Sequence, residues 1–136
     1  MRVAACQMVS GIDLQDNIFR ARALINSAAE SGAELVVLPQ YFSYMPARDR
    51  ELLAVAETYG NGPVQEAMSE VARKEQIWLV AGSIPLKADD DEHFIDASLL
   101  YSPSGEVAAR YDKIHLFNYE GERETYSESS VTQAGK

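Results

Sequence analysis

The feature that most narrows the fold is a strand–helix–strand order at the start of the chain. Residues 2–9 are apolar with small side chains and read as a buried strand. Asp13 stands where a helix cap is wanted, with Asp16 three residues on, as in a capping box. Leu14, Ile18, Ala21, Ile25 and Ala28 then recur at helical spacing, and Gly32 supplies the stop. Residues 34–38 form a short run of strand formers ended by Pro39. Two strands joined by a helix pair in parallel through a crossover, so the expected fold class is α/β.

The rest of the chain extends this pattern. Residues 41–61 read as a loop region with a helix around 51–58. Pro63 suits the first position of another helix, whose apolar stripe is Val64, Ala67, Met68, Val71 and Ala72. Residues 77–84 read as a second buried strand containing Trp78. Residues 93–102 and 106–111 flank Pro103, Ser104 and Gly105, a hairpin signal. Residues 117–136 show no period and read as loop. Helices covering a sheet are the expected layers, in a single unit without repeat or linker.

Composition excludes several function classes. The net charge is −9; residues 89–92 contribute −4 and residues 120–128 a net −3. Acidity so localised reads as solvated loop, and without a basic stripe nucleic-acid binding is not expected. Asp89, Asp90, Asp91, Glu92 and His93 lack the spacing of metal ligands, so no metal is expected. The longest mostly apolar stretch, residues 77–86, falls well short of the roughly 20 residues that span a bilayer. Nothing resembles a secretory signal, and the single cysteine, Cys6, fits a reducing compartment. A cytoplasmic protein without a membrane segment is expected.

Three positions stand out for chemistry. Gln40 follows directly on a buried strand, where α/β proteins place working side chains. Lys113 stands at a strand end among apolar residues, and Glu128 lies in an otherwise hydroxyl-rich stretch. Taken alone, each reads as structural. Cys6 lies mid-strand with no histidine nearby in sequence and reads as a small core residue, not a nucleophile.

Together these residues resemble the nitrilase superfamily of carbon–nitrogen hydrolases. Val3-Ala4-Ala5-Cys6-Gln7-Met8 is similar to its first strand. Gly32-Ala33-Glu34-Leu35-Val36-Val37-Leu38-Pro39 is similar to its second, which runs into the catalytic glutamate motif. Gly62-Pro63, then Ile77-Trp78-Leu79-Val80-Ala81-Gly82-Ser83, resemble its next helix and strand. Tyr111-Asp112-Lys113-Ile114-His115-Leu116-Phe117 is similar to its lysine motif. Each motif is weak alone, but their joint order covers the whole chain. Within the superfamily the look is of bacterial members related to deaminated-glutathione amidases.

The resemblance implies a four-layer αββα sandwich, of which these 136 residues would be the N-terminal half. It implies hydrolysis of a small-molecule amide through a cysteine thioester, no cofactor, and assembly as a homo-oligomer. Lys113 matches the lysine that stabilises the oxyanion, and Glu128 the second glutamate. Gln40 falls at the general-base position, normally glutamate; a carboxamide cannot accept a proton at neutral pH. The nucleophilic cysteine is expected beyond Lys136. A smaller departure is Asp96, where relatives tend to carry asparagine. Three readings stay open: a half-chain of an amidase, a non-catalytic binding or assembly module, and a truncated or split form without activity of its own.

Overall fold

The computed structural model describes residues 1–121 and 125–136. Its first unit is strand β1 (Val3–Ala5), helix α1 (Leu14–Glu30) and strand β2 (Leu35–Val37). Asp13 caps α1, its carboxylate accepting the Asp16 amide at 3.0 Å. Gly32, at φ 85°, turns the chain back towards the sheet. β1 and β2 pair in parallel, as do β2 and β3 (Trp78–Val80), with Val36 opposite both Ala4 and Leu79. Between them lie the short helix α2 (Leu52–Val55), preceded by a 3₁₀ turn at Asp49–Glu51, and helix α3 (Pro63–Glu75), with Pro63 at its start.

The expected strand at 77–84 is two strands. Gly82, at φ 45°, breaks it into β3 and β4 (Ile84–Lys87). Both pair antiparallel with one edge of β5 (Phe94–Tyr101), β3 with its end and β4 with its beginning. β6 (Val107–Asp112) takes the other edge, since Ala97 faces Ile84 on one side and Asp112 on the other. β6 therefore runs in the same direction as β1, β2 and β3. The chain segments leaving β2 and β6 emerge at the same end of the sheet, although the strands are not neighbours.

Helices α1 and α3 cover one sheet face. Ile18, Ala21, Ile25, Val64, Met68 and Val71 pack there against Val36, Leu38, Leu79 and Leu99. Burial of this apolar surface is the main stabilising term. The opposite face is more open: Trp78, expected in a buried strand, is 36% exposed, and the residues of β6 are largely exposed. The regular part of the first strand is only three residues, shorter than the apolar run predicts.

Residues 117–136 contain more order than their lack of period suggests. β7 (Asn118–Glu120) pairs antiparallel with β8 (Thr125–Ser127), and a 3₁₀ turn at Glu128–Ser130 follows. Val131 then accepts the Phe94 amide at 3.0 Å and joins a second small core with Leu52 and Phe94. Periodicity cannot reveal such short elements. Of the acidic segment at 120–128, residues 122–124 lie outside the described residues; Glu120 is exposed, but Glu128 is buried. No helix among the described residues is long and apolar enough to cross a membrane.

Candidate active site

Four pieces of chain meet at the end of the sheet where β2 and β6 finish. The first is the segment after β2. Leu38 continues the ladder to Val80 at 3.0 Å, and Pro39 ends it. Tyr41 then adopts φ 53°, a left-handed conformation unusual for a non-glycine residue, and its amide donates to Ser83 Oγ at 3.1 Å. The β3–β4 turn presses against this segment so closely that a Cβ on Gly82 would lie 1.9 Å from the Pro39 carbonyl oxygen. Glycine is thus required for the approach that places Gln40 and Tyr41. The loop beyond is tied to α1 by buried Asn17, whose amide donates to Gly11 and Ser43 carbonyls at 2.8 and 2.9 Å.

β5 contributes Asp96, 3% exposed. Its Oδ2 accepts Gln40 Nε2 at 2.7 Å, and Oδ1 has no hydrogen-bond partner among the described residues. The Asp96 carbonyl accepts the Lys113 amide at 2.9 Å, carrying the β5–β6 ladder one step past β6. Lys113 is thereby held beside Asp96 by the backbone.

Glu128 closes the arrangement. It is 4% exposed, and its two oxygens accept from Lys113 Nζ at 2.8 and 2.9 Å. The Phe117 amide and, at 3.3 Å, the Tyr41 hydroxyl also donate to it. A buried carboxylate needs such donors, because transfer from water without them is costly. The Tyr41 phenol is held far above its ordinary range, by burial first and then by the negative charge of Asp96 and Glu128. Tyr41 is therefore a neutral donor between two acids.

Gln40, Lys113 and Glu128 thus share one connected network with Asp96 and Tyr41. Asp96 was visible in sequence only as a departure, and Tyr41 only as the neighbour of Gln40. Nothing in the sequence signalled the positive φ of Tyr41 or the close approach at Gly82. Cys6 belongs elsewhere: it follows β1, packs at the edge of the main core, and its thiol is pushed up from its ordinary value of 9.0 by burial. Among the described residues no group of three metal-ligating side chains is found.

The carbon-nitrogen hydrolase family model matches residues 2–136, nearly the whole chain. The chain belongs to the carbon–nitrogen hydrolase family. A deaminated glutathione amidase from Yersinia enterocolitica is 33% identical over 98% of the chain, which covers 47% of that relative. The Caenorhabditis elegans NitFhit protein superposes with a TM-score of 0.88 at 32% identity, covering 98% of this chain and 33% of that one. The amidase from Nesterenkonia sp. AN1 superposes with a TM-score of 0.80 at 26% identity, covering 100% of this chain and 50% of that one. That neighbour is a glutamate-to-glutamine variant showing Michael addition of acrylamide at its active-site cysteine. This carbon–nitrogen hydrolase chain spans about half the length of the curated amidase relatives it matches. Its helix and sheet layers are the N-terminal half of the four-layer αββα sandwich.

Proposed function

We propose that this chain carries the lysine half of an amidase site for a small carboxamide. The observation that carries the reading is the buried Lys113–Glu128 pair, joined through both carboxylate oxygens at the end of the sheet. Hydrolysis in this class proceeds by attack of a thiolate on the carbonyl carbon, loss of ammonia as the C–N bond breaks, and release of the thioester by water. Lys113 would stabilise the negative oxygen of the tetrahedral species, with Glu128 holding its ammonium in place. Gln40 occupies the base position and cannot accept the thiol proton.

Cys6 is a poor candidate for the nucleophile, because burial pushes its thiol up and its amide bonds to the Val37 carbonyl within the sheet, outside the network. On this reading the 136-residue chain alone releases no ammonia. Gln40 in place of an acid favours a second reading, binding of a carboxamide without turnover. The Nesterenkonia neighbour supports keeping both: there a glutamate-to-glutamine variant retains an active-site cysteine that reacts with acrylamide. The proposal extends to a reducing, cytoplasmic setting and to self-association through the exposed apolar side chains at the end of β6 and after it, Tyr111, Ile114, Phe117 and Tyr119.

The test is ammonia release from propionamide and other small amides by the chain, and by the chain combined with the C-terminal half of the Yersinia relative. The chain alone should be silent, the combined protein at most weakly active, and the combined protein carrying Gln40→Glu should turn over and lose that turnover in Lys113→Met. Turnover by the chain alone that disappears in Cys6→Ala would overturn the assignment.

A further inference from the structure

We propose that Asp96 is a positioning residue for the Gln40 carboxamide, and that the two form an acid–amide unit presenting Gln40 Oε1 as a fixed acceptor to a carboxamide N–H. An ionised carboxylate is an acceptor only, so Gln40 can meet it at 2.7 Å only through Nε2. The other end of the amide, Oε1, is thereby turned away from Asp96. Gln40 is exposed while Asp96 is 3% exposed, so the buried acid fixes a group that itself reaches solvent.

Packing alone does not account for an acid at position 96. Its Oδ1 is buried with no partner among the described residues, a costly arrangement for a carboxylate. What an asparagine would not supply is the lock: it offers both a donor and an acceptor, and Gln40 could then face it either way round. The two departures noted in the sequence, glutamine at 40 and aspartate at 96, are in direct contact. Together they place one acid and one amide side by side, the acid buried and the amide exposed. A pair of two acids would set two carboxylates against each other. A pair of two amides would leave the orientation free.

The ligand class rests on the amidase reading. A primary carboxamide can give an N–H to Gln40 Oε1 and direct its carbonyl oxygen at the Lys113 ammonium. A carboxylate has no N–H to give, and an N,N-dialkyl amide has lost it.

The test uses side-chain amide NMR of the ¹⁵N-labelled 136-residue chain, with the Gln40 signals assigned by their loss in Gln40→Glu. One Gln40 Nε2 proton should be shifted downfield and protected from exchange. In Asp96→Asn the shift should collapse and protection fall at least tenfold. The reciprocal variant Gln40→Glu/Asp96→Asn should regain a bonded side-chain amide, now carried at position 96, and melt nearer the wild type than Gln40→Glu does. Unchanged Gln40 signals in Asp96→Asn, or melting shifts of the two changes that simply add, would overturn the proposal. Should Gln40→Glu not fold, recovery of folding in the reciprocal variant supports the unit and failure of both counts against it. Titration with propionamide, N,N-dimethylpropionamide and propionate tests the ligand separately. Only propionamide should perturb Gln40 and Lys113, several-fold more weakly in Asp96→Asn. A locked Gln40 that ignores propionamide would keep the positioning role and reject the amidase reading of the ligand.

Discussion

Removing the Lys113 ammonium while keeping its bulk, as in Lys113→Met, strands the Glu128 carboxylate in the interior. The Glu128 side chain is 5% exposed and that of Lys113 26%. Breaking a fully buried pair from one side costs about 3–5 kcal/mol. Glu128 keeps the Phe117 amide and the Tyr41 hydroxyl, and Lys113 is partly solvated, which lowers the expected loss to about 2–4 kcal/mol. For a chain of this size that is a fall in melting temperature of roughly 8–16 °C. Lys113→Met/Glu128→Gln leaves no stranded charge and should lose only about 1–2 kcal/mol, less than Lys113→Met alone. Thermal melts at pH 7 of wild type, both single variants and the double variant measure the coupling. A Lys113→Met protein within about 0.5 kcal/mol of wild type, or single effects that add, would refute the claim that this is a buried, mutually dependent pair.

Three further outcomes follow from the same geometry. Tyr41→Phe should cost about 0.5–1.5 kcal/mol at neutral pH through the lost hydroxyl bond. Its alkaline limb should also be flatter: the folded phenol is held well above 10.0, so the wild type loses stability as pH rises past 10.0 and the unfolded phenol ionises, while the variant lacks this contribution. Parallel pH–stability curves for the two proteins would contradict it. Gly82→Ala should destabilise by at least about 2 kcal/mol, because φ is 45° and the new methyl would lie 1.9 Å from the Pro39 oxygen; an unchanged melting temperature would be inconsistent with that contact. Cys6 should react with iodoacetamide at pH 7.5 at least about tenfold more slowly in the folded chain than in guanidinium, and equal rates would mean an accessible thiol.

The sequence carried the architecture wherever burial repeats with a period. The stripe of α1, the Pro63 start of α3 and the hairpin around Pro103 to Gly105 all appear in the fold. It failed where backbone conformation, not hydrophobic pattern, decides. Residues 77–84 look like one strand because their side chains are uniformly apolar, and only the positive φ at Gly82 divides them. β7 and β8 are three residues each, too short for a pattern to register. Motif order singled out Gln40, Lys113 and Glu128 of the candidate site, and the structure brings them into one network. The part played by Asp96 was not, because contact between residues 40 and 96 depends on the order of strands in the sheet. The same limit hid Tyr41, whose hydroxyl reaches a residue 87 positions away.

The strand order also has a kinetic consequence. Lys113 and Glu128 are 15 residues apart, whereas Gln40 and Asp96 are separated by 56. Closing the short loop loses less chain entropy than closing the long one, and distant pairings are the slow part of sheet formation. The cationic half of the site can therefore assemble from the β5–β6 hairpin and the segment that follows it, before the parallel strands have docked. Contact between Gln40 and Asp96 has to wait until β2, β3 and β5 lie side by side. The amide signal of Gln40 then serves as a clock for refolding, appearing only when the whole sheet has closed.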